Sequence, residues 1–227
     1  MEVIGLIRLQ NEILEQYEDD FGKHASGTNL ARVRMVWNSI PIQLAKENKK
    51  FFFCQMKQGA RMKDFEVAIE WLLDCGLITK VHKVNSPSVP LKAYVDYSAF
   101  KLFSLDIGLL GAMSELDAQS ILEGNDIFRE FKGALTEQYV LQQIVSDTPY
   151  TPYYYGTDSA AFENDFTIHK GKNVVPIEVK AEVSQRSKSL KAYCDKYHPE
   201  YAVRISMKDY RQEEWMTNIP LYAVCNI

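Results

Sequence analysis

Two short stretches, Glu163-Asn164-Asp165-Phe166 and Pro176-Ile177-Glu178-Val179-Lys180, flank Gly171-Lys172 and constrain the fold more than anything else in the chain. A two-residue loop with glycine first is the signature of a type II′ hairpin turn. Strands over 162–170 and 173–180 are therefore expected to pair antiparallel, with partner numbers summing to 343. Asp165 then falls opposite Glu178, and Glu163 opposite Lys180. Because side chains alternate across a strand, these four share one face. Phe162, Phe166, Ile168, Val175, Ile177 and Val179 share the other, which reads as a core face.

Three carboxylates and an ammonium at cross-strand spacing, roughly 5 Å between opposed Cβ atoms, carry a chemical implication. Facing carboxylates repel unless a proton or a cation lies between them. Mg²⁺, with Mn²⁺ as its substitute, takes oxygen ligands and uses one or two carboxylates together with substrate phosphates. A neighbouring lysine can orient an attacking water or offset charge developing on a phosphate. The plain alternative is a solvated strand face with ordinary alternating charge.

The chain has 227 residues, 46% hydrophobic and 25% charged, enough for one large domain or two small ones. No apolar run approaches the roughly 20 residues of a membrane helix, and the first residues lack the basic start of a secretory signal. Cys54, Cys75, Cys194 and Cys225 are far apart and read as buried thiols of a cytoplasmic protein. They and the four scattered histidines give no zinc-ligand spacing. The net charge of −4 argues against a simple nucleic-acid binder, but its distribution is uneven. Residues 31–63 hold eight bases against one acid, and residues 102–168 hold eleven acids against two bases.

The expected organisation begins with an amphipathic helix over 3–21, closed by Gly22. A helical stretch starts at Arg32–Trp37, and Ser39 is expected to cap a separate helix with Pro41 in its first turn. Phe51–Phe53 reads as extended, and Lys63–Cys75 as a strong helix stopped by Gly76. Leu77–Val84 and Leu91–Val95 read as strands around a Ser-Pro turn, the pattern of a winged helix. Residues 104–110 read as an apolar connector and Ser114–Leu122 as a short helix. The second part reads as α/β: a helix over Phe131–Val145, a strand from Tyr153, the acidic hairpin, a basic helix over Ser187–Tyr197, and strands at Tyr201–Ser206 and Leu221–Cys225.

No phosphate-cradling Gly-x-x-x-x-Gly-Lys-Ser/Thr occurs, so no ATP site and no ATPase activity are expected from this chain alone. Lys57, Arg61 and Lys63 in the basic stretch, and Lys188 and Lys191 at i, i+3 on the basic helix, are the candidate phosphate contacts. The helix beside the wing carries Asp64, Glu66, Glu70 and Asp74, which oppose docking in a DNA groove and favour a protein-docking role for that module. Glu137 could deliver a third carboxylate from the helix before the hairpin, or be an ordinary helical glutamate.

Phe131–Val140, Glu163–Phe166, Pro176–Lys180 and Ile219–Ala223 together resemble the C-terminal domain of unknown function 4143, which follows the ATPase module in many bacterial and archaeal AAA-type ATPases. Residues 60–110 look like the winged-helix segment that precedes it there, and residues 1–22 look like the tail of the absent ATPase module. The resemblance implies a winged helix over 23–110 and a mixed sheet flanked by helices over 111–227, of the PD-(D/E)xK, restriction-endonuclease-like type. It also implies metal ligation by Asp165 and Glu178, a catalytic Lys180 and a supporting Glu137. The expectation is a Mg²⁺-dependent nuclease acting on nucleic acid. The alternative is a non-catalytic module that docks a partner protein, an ATPase module or nucleic acid, with no membrane involvement in either case.

Overall fold

Apolar spacing and local turn chemistry account for most of the elements in the computed structural model. It describes residues 3–25, 27–46, 49–116, 126–157, 162–181 and 187–227. The fold is mixed α/β, with a helical N-terminal part followed by a sheet-containing region, as expected. By contacts the chain divides into two compact units, residues 1–80 with 101–135, and residues 81–100 with 136–227.

The first unit is built from α1 (Val3–His24), α2 (Gly27–Leu44), α3 (Met62–Asp74) and α4 (Ile107–Met113). Its centre is Trp37, 1% exposed, which Phe21 and Tyr17 meet edge-on at 5.6 and 6.4 Å between ring centroids. Phe21 also meets Trp71 at 5.6 Å. Such packing explains why α1 runs past Gly22, where it was expected to stop. Phe21 is buried and its carbonyl accepts from Ala25 N–H at 2.9 Å, so the last turn is held from both sides.

Ser39 does not cap a new helix. α2 is continuous through Pro41, because Val33, Val36, Trp37, Ile40 and Leu44 form one buried stripe. Proline removes one backbone donor from the helix, and beside it Ser39 Oγ donates to the Val36 carbonyl at 2.8 Å and Gln43 Nε2 donates to Ser39 Oγ at 3.2 Å. The Phe51–Phe53 run is not a strand; a 3₁₀ turn occupies Phe53–Gln55, and Gln43 Oε1 accepts from Phe52 N–H at 2.6 Å. α3 lies where its stripe placed it, with Gly76 at φ +70° just beyond. The expected apolar connector contains α4, because Asp106 caps it by accepting from Gly108 N–H at 2.7 Å and Leu109 N–H at 3.0 Å. Ser114 closes α4, and the rest of the helix expected to Leu122 lies outside the described residues.

The strands are β1 (Ile78–Val84), β2 (Val95–Ser104), β3 (Tyr153–Gly156), β4 (Glu163–Lys170), β5 (Asn173–Lys180), β6 (Val203–Ser206), β7 (Arg211–Gln212) and β8 (Thr217–Pro220). Their order across the sheet is β2-β1-β3-β4-β5-β6-β8-β7. Pairing is parallel for β1–β3, β5–β6 and β6–β8 and antiparallel for β3–β4, β4–β5 and β7–β8. The strand expected over Leu91–Val95 starts only at Val95, because Leu91 buries completely in a 3₁₀ turn over Leu91–Tyr94. The final strand is β8, and Leu221–Cys225, expected to be a strand, lies in a 3₁₀ segment over Leu221–Asn226.

α5 (Asp126–Asp147), which belongs to the second unit from Thr136 onward, precedes β3 in the chain, and α6 (Lys188–Tyr197) follows β5. α6 buries Leu190, Tyr193 and Cys194 against Tyr155, Phe162, Ala202 and Met216. The cysteines depart from expectation: all four are free, but Cys54, Cys75 and Cys225 are exposed and only Cys194 is buried. Among the described residues no helix is long and apolar enough to cross a membrane.

The β4–β5 hairpin turns at Gly171, φ +64°, a conformation that costs an L-residue about 1 kcal/mol. A Cβ there would meet nothing within 4 Å, so the cost is purely that of the backbone. Gly171→Ala is therefore expected to lower stability by about 1 kcal/mol in urea unfolding; an unchanged midpoint would contradict this turn geometry.

Candidate functional site

The hairpin register matches the expected sum of 343, from Lys170–Asn173 through Phe166–Ile177. All six residues of the expected core face are buried. The opposite face is not a solvated surface either: Thr167 is 0% and Glu178 3% exposed. The sheet is thus covered on both sides along this stretch, as strands with neighbours on parallel partners usually are.

Asp165 and Glu178 lie one step beyond the last ladder pair. There β4 turns to β3, with Glu163 beside Gly156 and Asn164 beside Tyr155. Asp165 Oδ2 accepts from the backbone N–H of Val179 at 2.7 Å, so a carboxylate takes a donor that strand pairing would otherwise use. Lys180 Nζ pairs with Glu178 Oε1 at 2.7 Å, with side-chain exposures of 21% and 4%. The other oxygen, Glu178 Oε2, is buried and has no hydrogen-bond partner among the described residues. An enclosed carboxylate oxygen left this way is costly. Asp165, Glu178 and Lys180 are thereby brought to one end of the hairpin.

Glu137 lies on the buried side of α5, at 6% exposure. Among the described residues, no group of three or more His, Cys, Asp or Glu side chains is placed to hold a metal ion. A preformed cage of three carboxylates is not found among the described residues. The donor set that does fit a hard cation is smaller: hard oxygen atoms on Glu178 and Asp165, one of them the orphaned Oε2.

The sheet register adds residues that sequence reasoning passed over. On the parallel strand β6, Arg204 is registered with Glu178 and Ser206 with Lys180; on β8, Asn218 is registered with Arg204. Registered residues emerge on one face, so Glu178, Arg204 and Asn218 form a polar row across three strands. Asn218, 0% exposed, accepts from Arg204 Nε and from Ser206 Oγ, both at 2.8 Å. Its amide donates to the carbonyls of Lys208 at 3.2 Å and Asp209 at 3.0 Å. The one signal for this row was the polar alternation in Val203-Arg204-Ile205-Ser206, too short to read alone. Asn164 was also missed: it is fully buried, and neither of its amide atoms has a hydrogen-bond partner.

Of the candidate phosphate contacts, Lys57, Arg61 and Lys63 are exposed in the first unit. Arg61 N–H donates to Asp64 Oδ2 at 2.9 Å at the start of α3. Lys188 is exposed at the start of α6. Lys191 pairs with Asp195 at 2.8 Å, which raises its pKa, and lies 5.2 Å over the Trp215 ring. The Cys194 thiol is pushed up to about 11, chiefly by burial, with nearby negative charge including Glu178 adding to it.

A family model described as a domain of unknown function (DUF8612) matches residues 4–120. A second, also described as a domain of unknown function (DUF4143), matches residues 132–224. No curated protein and no solved structure matches the chain.

Two outcomes follow from these contacts. Lys180→Met strands the Glu178 carboxylate in its buried setting and is expected to cost about 3 kcal/mol in urea unfolding, with most of the loss recovered by adding Glu178→Gln. Equal stability of the single variant and the wild type would mean that the pair is not formed. A thiol reagent at pH 8 is expected to modify Cys54, Cys75 and Cys225 in the folded protein and Cys194 only after unfolding. Prompt modification of all four would contradict the burial of α6.

Proposed function

We propose that this chain, which belongs to the DUF8612 family of domains of unknown function and carries the DUF4143 match over residues 132–224, cuts phosphodiester bonds of nucleic acid with a divalent cation. One observation carries the reading. Glu178 is buried with one oxygen on an ammonium and the other without a hydrogen-bond partner among the described residues, and the Asp165 carboxylate accepts from the N–H of the next residue, Val179. Folding alone gives little return for such an arrangement, since a hydrophobic pair in its place is often as stable. A cation bound to that oxygen and to a phosphate would satisfy it.

In this reading Glu178 and Asp165 would hold Mg²⁺ or Mn²⁺ through their carboxylate oxygens. The bound ion would supply charge neutralisation at the phosphate and a more acidic water. Glu178 holds Lys180 Nζ in place, and Lys180 directs its remaining N–H groups at a phosphate oxygen or an attacking water. Asp165, anchored by the Val179 N–H, keeps its carboxylate at the strand end. Glu137 is the supporting carboxylate from α5. The residue-level likeness of residues 132–224 to domains that follow an ATPase module supports an AAA-type ATPase as the natural partner.

A second reading is favoured by the exposed acidic face of α3, where Glu66, Glu70 and Asp74 oppose contact with a phosphate backbone. In it the chain docks a partner protein without cutting.

The deciding assay is cleavage of single- and double-stranded DNA and RNA with Mg²⁺ or Mn²⁺. Asp165→Ala, Glu178→Gln and Lys180→Ala are each expected to lower the rate by about 100-fold or more. Cleavage that persists unchanged in all three variants rejects the site.

A further inference from the structure

The start of α6 opens onto a groove of about 660 Å³ within the second unit. Lys188, Lys191, Arg204 and Lys208 line it against two acids, Asp195 and Glu213. The acids are already engaged, Asp195 with Lys191 at 2.8 Å and Glu213 with Arg204 at 3.7 Å. Lys188 and Lys208 are exposed and have no ion-pair partner among the described residues. The groove is therefore left with uncompensated positive charge.

Its inner end carries a second signal. Ser187 sits at the N-cap of the ten-residue helix α6, yet its hydroxyl caps no backbone N–H there. The residue is 7% exposed, and Oγ is buried without a hydrogen-bond partner. A hydroxyl that neither caps its helix nor has a hydrogen-bond partner among the described residues, on the wall of a cationic groove, is a donor waiting for an acceptor. Helix N-termini favour anions for the same electrostatic reason. Trp215 stands on the wall beside these cations, half-buried, with Lys191 Nζ 5.2 Å from its ring centre. Aromatic rings interleaved with lysines are what a nucleic-acid strand requires: a surface for a base and cations for its phosphates.

We propose that this groove is a binding site for a single-stranded nucleic-acid segment. One phosphate sits at Ser187 and the first turn of α6, flanking phosphates lie on Lys188 and Lys208, and a base packs on Trp215. Arg204 ties the groove to the row that carries Glu178, since the two are registered on neighbouring strands. The choice of nucleic acid as ligand rests on the reading above, but binding here does not require cleavage.

The test is fluorescence anisotropy of a labelled single-stranded oligodeoxynucleotide with the full chain in EDTA. Wild type is expected to bind with an affinity that falls steeply with salt. Lys188→Glu with Lys208→Glu should lower affinity at least tenfold and flatten the salt slope by about two phosphate contacts. Trp215→Ala should lower it about tenfold at constant slope. Ser187→Ala, a small change on a helix cap, should weaken binding while leaving the unfolding midpoint near wild type. Equal binding by all these variants overturns the proposal. Competition by inorganic phosphate with no gain from the oligonucleotide chain overturns the nucleic-acid assignment as well.

Glu178→Gln separates this proposal from the cleavage reading. Binding retained by Glu178→Gln and lost in the groove variants upholds the groove even if no cleavage occurs with any metal. Cleavage that is normal in the groove variants, with binding unaltered, rejects the groove and leaves the cleavage site standing.

Discussion

A slip of one residue at Gly171-Lys172 would exchange the two faces of the β4–β5 hairpin, and nothing else in the second unit could keep its place. With the observed pairing, Phe166, Ile168, Val175 and Ile177 enter the core together. One step along, the same alternation would bury the charged residues and expose that apolar set. The register therefore fixes three things at once: which side chains make the core, where Asp165, Glu178 and Lys180 gather, and which residues of β6 and β8 stand beside them.

What gathers at the strand end is poor as a source of stability. A buried ion pair roughly balances its Coulomb attraction against the loss of hydration, and the unmatched Glu178 Oε2 adds a cost. Asn218, in the same row, shows the opposite design, with two bonds accepted and two donated in full burial. One polar row thus contains a completed network on β8 and an incomplete one on β5. In the proposed reading a bound cation completes the part on β5, and that contrast is what would separate a candidate site from a structural hydrogen-bond cluster.

Long periodic elements were legible in the sequence. The α3 stripe ending at Gly76, the Phe131–Val145 helix and the hairpin all follow from spacing and turn chemistry, because each is decided by contacts near in sequence. Elements decided by burial were not. Pro41 reads as a helix start until the stripe from Val33 to Leu44 is seen to pack through it. Leu91 reads as a strand residue, but it buries inside a 3₁₀ turn. Leu221–Cys225 is apolar enough for a strand, yet the adjacent Thr217–Pro220 holds the place beside β6. The same division runs through the site. Asp165, Glu178 and Lys180 could be grouped from one hairpin, whereas Arg204, Asn218 and Ser187 join only through strands and a helix distant in sequence.

The central claim is that Glu178 and Asp165 form a cation site, and Mn²⁺ binding tests it without any need for a substrate. Free Mn²⁺ measured by its magnetic resonance signal during titration is predicted to reveal one site per chain that Glu178→Gln abolishes and Mg²⁺ displaces. A wild-type titration indistinguishable from buffer, or one that Glu178→Gln leaves unchanged, would contradict it.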